Sequence, residues 1–428
     1  MNPSAMGDTR LTWQQGWRYG LMGLPLAFVA LPLYVLLPNH YARSYGVSLA
    51  SLGAVLLAVR LFDSFIDPLL GRWTDRLQAR SNAVALRWAG AAALLLCLGF
   101  ALLFFPPAAL HQDGMRLLLW LSASLLLTTT AFSALSILHQ AWGARLGGNS
   151  AYRSRVVAWR EGLGLLGVVI ASISPVALGL AATAVLLLMA SLGGWWAWHS
   201  GPAPRQTADP MAQHTPALLW LPWRHGNFRR LLAVFLVNGI ASAVPATLML
   251  FFVQDRLQAP ASAEPLFLGS YFICAALSIP FWLSLLARWG LARTWLAGML
   301  LSVAVFAFAS ALGTGDVAEF VAVCALSGMA LGTDLVLPAA LLAGVIAANG
   351  DQQQSEGSYF GWWAFAGKLN LALAAGLALP ALGLLGYAPG STDADALRTL
   401  TLAYCVLPCV LKTLAALLLY TLIIRKNP

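Results

Sequence analysis

The chain has 428 residues, 60% of them hydrophobic and only 10% charged, with a mean hydropathy of +0.75. Soluble domains carry about 25% charged residues, so a soluble catalytic domain is excluded and an all-α integral membrane protein is expected. The net charge of +9 does not signal nucleic acid, because the basic residues stand at the ends of apolar segments rather than in one patch.

Hydropathy windows of about 19 residues predict roughly twelve membrane-spanning helices. In the first half they fall at 19–37, 49–70, 86–105, 116–140, 156–174 and 176–199, the last two divided at Pro175. In the second half they fall at 228–253, 266–287, 291–312, 318–347, 359–385 and 397–424. The stretch 201–227, rich in Pro, Gly and polar residues, reads as a cytoplasmic linker between halves 1–200 and 228–428. The first apolar stretch is too long for the core of a cleaved signal and reads as a retained helix. The five cysteines lie in apolar segments with no His or second pair to complete a metal site, and are expected to be small buried apolar residues.

Orientation follows from the basic residues. Of the twenty-five, eighteen fall on the face that holds both predicted termini, including Arg10, Arg72, Arg76, Arg80, Arg87, Arg145 and Arg205. Four (Arg43, Arg116, Arg256 and Arg398) fall on the other face, and Arg60, Lys368 and Lys412 lie inside helices. This asymmetry places both termini in the cytoplasm and the chain in the inner (plasma) membrane.

The second predicted helix carries the most informative residues. Arg60, Asp63 and Asp67 recur at spacings of three and four, so they share one helical face. Each costs roughly 2.5–3.5 kcal/mol at the centre of a membrane helix, and a charged face of this kind marks an ion or substrate path. Two carboxylates one turn apart repel, and a bound cation relieves that repulsion. Lysine is scarce, and two of the three lysines, Lys368 and Lys412, lie inside predicted helices. Asp334, within the tenth helix, is placed to neutralise one of them or to touch substrate.

Two six-helix halves joined by a polar linker describe the major facilitator architecture. Several motifs narrow this further. Arg60-x-x-Asp63-x-x-x-Asp67-Pro68 is followed by Gly71 and Asp75-Arg76, and a basic stretch runs from Tyr152 through Arg155 to Arg160. Ser355-Glu-Gly-Ser-Tyr-Phe-Gly-Trp-Trp363 leads to Lys368 and ends in Leu384-Leu-Gly-Tyr-Ala-Pro-Gly390. Together these motifs, spread over most of the chain, resemble the glycoside–pentoside–hexuronide:cation symporters, the melibiose-permease-like family of the major facilitator superfamily.

The resemblance implies that Asp63 and Asp67 bind the coupling cation with help from Ser133, and that Lys368, with Arg60, takes part in coupling. Asp75 and Arg76 fall in the loop that acts as a gate. The chain also departs from the family. The first- and fourth-helix acids that hold sugar stand here as Ala27 and Ser136, and the amide before the second cation acid is Ile66. A proton needs only a carboxylate, whereas Na⁺ needs several oxygens, so H⁺ is the expected coupling cation and Na⁺ the alternative.

Trp362, Trp363, Tyr359, Gln140, Asn238 and Asp334 are the candidate substrate contacts, because indole stacks on sugar faces and the others offer hydrogen bonds. His139 reads as a structural donor. The expected function is cation-coupled secondary transport by alternating access, with a sugar, glycoside or related small molecule as substrate and a lysolipid or other amphipathic molecule as the alternative. No enzyme motif is present: neither His-x-x-x-x-Asp nor His-Glu-x-x-His occurs. A passive channel is the remote alternative. The expected partners are substrate, coupling cation and membrane lipids, with no other cofactor, and the expected state is a monomer.

Overall fold

A computed structural model of the chain describes residues 11–47, 49–204, 219–260, 263–387 and 390–426. Arg10, Arg205, residues 205–218 of the expected linker and residues 388–389 of the last motif lie outside the described residues. The fold is helical throughout. In chain order the helices are α1 (Trp13–Gly20), α2 (Gly23–Leu31), α3 (Leu37–Tyr45), α4 (Leu49–Arg80) and α5 (Asn82–Phe104). They continue with α6 (Gly114–Arg145), α7 (Ser150–Ala177), α8 (Gly179–His199), α9 (Leu221–Arg224) and α10 (Gly226–Phe251). The last five are α11 (Glu264–Ala309), α12 (Val317–Ala348), α13 (Glu356–Leu384), α14 (Ala394–Thr401) and α15 (Leu407–Leu419). π-helical turns at Pro32–Leu36, Phe252–Arg256, Leu402–Val406 and Tyr420–Ile424 continue or bridge these helices.

Local chemistry sets many of the ends. Thr12 and Gln15 form a reciprocal capping box at the start of α1. Ser81 caps α5 through Val84 N–H, Asp113 caps α6 through Met115 and Arg116 N–H, and Asn149 caps α7 through Tyr152 N–H.

The expected boundary at Pro175 is corrected. Helix α7 runs through that proline to Ala177, and the break comes at Gly179, whose φ of +83° suits a residue without a Cβ. A proline inside a helix forfeits one hydrogen bond, and a long packed helix absorbs that loss. Further on, α11 contains two of the expected spans in one 46-residue run, kinked at Gly290 in the basic turn between Arg288 and Arg293.

Among the described residues, eight helices are long and apolar enough to cross a membrane, counting the double-length α11 as one. The expected first, second and eleventh spans are helical but fall outside that set. The first is divided among α1, a turn, α2, a π-helical turn and α3; the second and eleventh correspond to α4 and α13.

The chain forms two compact units. One comprises Met1–Arg224 with Ile346–Phe365, and the other His225–Val345 with Ala366–Pro428. A short segment from the second half of the sequence thus belongs to the first unit. In that unit α2 packs on α7, α5 on α6 and α8, and α4 on α6, around Tyr19, Phe28, Phe100, Phe104, Trp142 and Trp198. In the second unit α15 packs on α10 and α11, and Phe252, Phe267, Phe320 and Tyr404 form an aromatic centre.

Candidate functional site

Helix α4 separates its faces sharply. Leu57, Leu61, Phe62, Phe65 and Leu69 are exposed, whereas Asp63 and Asp67 are buried, at 5% and 0% exposure. The i, i+4 spacing that suggested a shared face therefore places both carboxylates inside the first unit. The Ser133 hydroxyl on α6 donates to Asp63 Oδ1 at 3.0 Å, so the hydroxyl assigned to the cation site does reach the first acid. Arg60 is exposed, and its carbonyl accepts from the Ser64 hydroxyl at 2.8 Å. Lys368 stands on the part of α13 that belongs to the second unit.

Small residues let the start of α13 approach α4 within the first unit. A Cβ on Gly71 would fall 2.1 Å from the Gly357 carbonyl oxygen, and one on Gly361 would fall 2.6 Å from the Asp67 carbonyl oxygen. Backbone meets backbone here because glycine leaves room for it.

That approach builds a clamp at the end of α4. Asp75 Oδ1 accepts from Gly357 N–H at 2.6 Å, and Oδ2 accepts from Ser358 N–H at 2.8 Å and from the Ser358 hydroxyl at 2.5 Å. The carboxyl thus sits on the first free amides of α13, where the helix dipole favours negative charge. Beside it, Arg145 of α6 donates to Gln78 Oε1 at 2.9 Å and to the Gln353 carbonyl, and lies 3.6 Å from Glu356 Oε2. Gln353 N–H donates to Glu356 Oε1, closing the ring. Arg76, also expected in the gate, is exposed. Sequence reasoning missed Arg145, Gln78, Glu356 and Ser358; the signal was an acid, Glu356, at the head of a predicted span.

Burial pushes the Asp75 carboxyl up to about 8, with the charge of Glu356 adding to the rise while the bonds from Ser358 and Gly357 pull it back. Burial likewise pushes Glu356 up to about 7, opposed chiefly by Arg145. Both groups therefore bind a proton more tightly docked than exposed. Docking is favoured at low pH, and that advantage is lost as pH rises toward 8. Amide exchange of residues 353–358, corrected for its intrinsic pH dependence, is accordingly expected to lose protection between pH 6 and 8. Asp75→Asn should lower protection at low pH by about 1–3 kcal/mol, because it leaves a backbone donor unsatisfied, and should flatten the pH dependence. Wild-type protection that rises with pH would contradict this account.

The second unit has its own charged centre. Lys412 Nζ on α15 donates to Asp334 Oδ2 at 2.6 Å and to Asn238 Oδ1 at 2.8 Å. Asp334 on α12 also accepts from Asn238 Nδ2 at 3.0 Å, Trp295 Nε1 at 2.7 Å and the Ser242 hydroxyl at 3.4 Å. Of the two lysines expected to neutralise Asp334, Lys412 is therefore the one bonded to it. It does so as a buried pair, with 6% and 15% side-chain exposure.

The remaining candidate contacts already have protein partners. Trp362 donates its indole N–H to the Leu219 carbonyl at 2.9 Å and packs against Trp220 and Trp223, with ring centroids 5.0 and 5.2 Å away. It holds the end of the linker. Tyr359 is buried and donates to Asp351 Oδ2 at 2.6 Å. Gln140 donates to the Ser136 hydroxyl at 3.0 Å. Trp363 is buried. His139 stacks on Tyr19 and bonds to its backbone carbonyl at 2.9 Å, the structural role expected of it. No cluster of metal-ligating side chains is present among the described residues.

Long apolar helices that keep buried carboxylates and a buried ion pair are those of a polytopic membrane protein. A family model described as "MFS/sugar transport protein" matches residues 18–426, and the chain belongs to that family. No curated protein sequence matches the chain. Solved structures share its fold at low identity. A bacterial homologue of the iron transporter ferroportin in an outward-facing state is 16% identical with a TM-score of 0.69, over 96% of this chain and 98% of that one. The human organic anion transporter MFSD10 is 16% identical with a TM-score of 0.66, over 96% and 100%. An E. coli fucose:proton symporter variant is 13% identical with a TM-score of 0.63, over 94% and 97%.

Proposed function

We propose that this transporter is a proton-coupled symporter of the glycoside–pentoside–hexuronide kind, moving a sugar, glycoside or related small molecule by alternating access. The observation that carries the reading is the buried pair Asp63 and Asp67, one helical turn apart, with the Ser133 hydroxyl on Asp63. Carboxylates buried in a membrane helix are expensive, and ion or proton transfer is the ordinary reason to keep them. A family described by sugar transport and a fucose:proton symporter of the same fold support the substrate class and the coupling ion. Ile66, in place of an amide beside Asp67, favours H⁺ over Na⁺.

In this reading Asp63, Asp67 and Ser133 hold the cation, Arg60 and Lys368 couple its binding to substrate, and the Asp75 clamp is the gate. Both termini lie in the cytoplasm, the protein works in the inner membrane, and one chain suffices.

The test uses purified protein in proteoliposomes. A melting-temperature screen against sugars, glycosides and lysolipids first identifies a stabilising ligand. Uptake of that ligand is then driven by an imposed pH gradient without Na⁺, and uphill accumulation is expected. Accumulation that requires a Na⁺ gradient would overturn proton coupling, and equilibration without accumulation under either gradient would overturn symport. A lysolipid as the sole stabilising ligand would overturn the sugar class.

A further inference from the structure

Helix α5 carries a surface groove whose lining holds none of the residues assigned to transport. Val84, Arg87, Trp88 and Ala91 line a groove of about 360 Å³ at its start. Arg87 is exposed, and among the described residues its Nε makes a long 3.4 Å bond to the Ala83 carbonyl of its own helix. Trp88 is 47% exposed and meets Trp73 of α4 edge-on, with ring centroids 5.2 Å apart. From the groove an exposed apolar strip continues along the same helix through Leu94, Leu95 and Leu98.

The order of these groups matches a phospholipid: a cation, then an indole of the kind that settles at the headgroup level, then an apolar lane running into the bilayer. The stretch of sequence that carries the groove is one-sided in charge. Arg72, Arg76, Arg80 and Arg87 fall between residues 71 and 91, against one acid, Asp75, whose carboxyl is buried in the clamp. No carboxylate within that stretch is left to repel a phosphate.

We propose that this groove binds an acidic phospholipid, its phosphate on Arg87 and an acyl chain along Leu94, Leu95 and Leu98. The neighbouring arginines favour an acidic headgroup over a zwitterionic one, whose ammonium they would repel. A basic pocket at the arginine-rich end of membrane helices is the recognised setting for such contacts.

The full-length protein is purified in detergent, titrated with phosphatidylglycerol or phosphatidylcholine, and examined by native mass spectrometry. The wild type is expected to retain one phosphatidylglycerol under conditions that strip phosphatidylcholine. Arg87→Gln should weaken that association about fivefold, the effect of one arginine at an acidic surface. Arg87→Lys, which keeps the charge, should stay near wild type, as should Arg116→Gln, which removes an exposed arginine outside the groove. Arg87 is exposed, so its variants should fold. Equal retention of phosphatidylglycerol by Arg87→Gln and wild type would overturn the proposal, and so would wild type holding both lipids alike.

Discussion

Proteoliposomes carrying Asp63→Asn should show no uphill accumulation while still exchanging substrate across the membrane. With a gradient of one pH unit and one proton per substrate, the wild type should reach about a tenfold concentration ratio. The variant should settle at an equal concentration on both sides. Asparagine keeps the size of the side chain and still accepts from the Ser133 hydroxyl, which lies 3.0 Å from Asp63 Oδ1. It cannot take up or release a proton. Symport requires substrate and cation each to favour the same state of the protein, and that linkage disappears when one partner's site is fixed. Exchange needs only that the loaded carrier turn over, so it survives. Ser133→Ala should be milder: it removes one hydrogen bond to a carboxylate, worth about 1.5–3 kcal/mol, and leaves Asp63 able to take up and release a proton, so coupling persists. Wild-type accumulation by Asp63→Asn would remove Asp63 from the cation site.

The largest effect on stability is expected in the second unit. Lys412→Met removes the cation from a carboxylate that is 15% exposed and bonded to three other side chains. Breaking a buried pair by deleting one partner costs about 3–5 kcal/mol, because the remaining charge is uncompensated. Asp334→Asn combined with Lys412→Met should recover most of that loss. The asparagine oxygen still accepts from Trp295 Nε1, which approaches Asp334 Oδ1 at 2.7 Å, and no charge is left buried. Thermal unfolding in detergent reads both effects. If the double variant is no more stable than Lys412→Met, charge compensation is not what the pair supplies. A double variant that is stable yet inactive would give Asp334 or Lys412 a role beyond bracing helices α10, α12 and α15.

These two centres differ in how legible they were. Asp63 and Asp67 announce themselves in the sequence because they stand at helical spacing inside an apolar stretch, and the i, i+4 rule is local. The Ser133 contact follows from family resemblance and is matched by a 3.0 Å bond. The choice of Lys412 over Lys368 as the partner of Asp334 was not legible. Residues 334 and 412 lie on α12 and α15, with α13 and α14 between them in the chain, and only packing decides which of two distant lysines reaches one carboxylate.

The tryptophans give the converse lesson. Beside Lys368, Trp362 suggested a sugar platform, since an indole face serves that purpose as well as any other. Its N–H bond to the Leu219 carbonyl and its contacts with Trp220 and Trp223 tie it to the end of the linker. Aromatic residues carry little positional information of their own, so one type at one spacing fits several roles. The clamp was half legible: Asp75 stood out in a basic turn, whereas Arg145, Gln78 and Glu356 come from three helices that sequence distance keeps apart.

By itself the sequence determined that this protein is helical, lies in the membrane, has the major facilitator organisation and keeps acids in its second predicted span. Hydropathy, charge asymmetry and helical period are summed over neighbours along the chain, so they survive without knowledge of the fold. The tertiary structure decided which charges are compensated and by whom, that residues 346–365 belong with the first unit, and that α7 ends at a left-handed glycine rather than at its proline. Those outcomes depend on energies between groups far apart in the sequence, where a shift of one helical turn exchanges one partner for another.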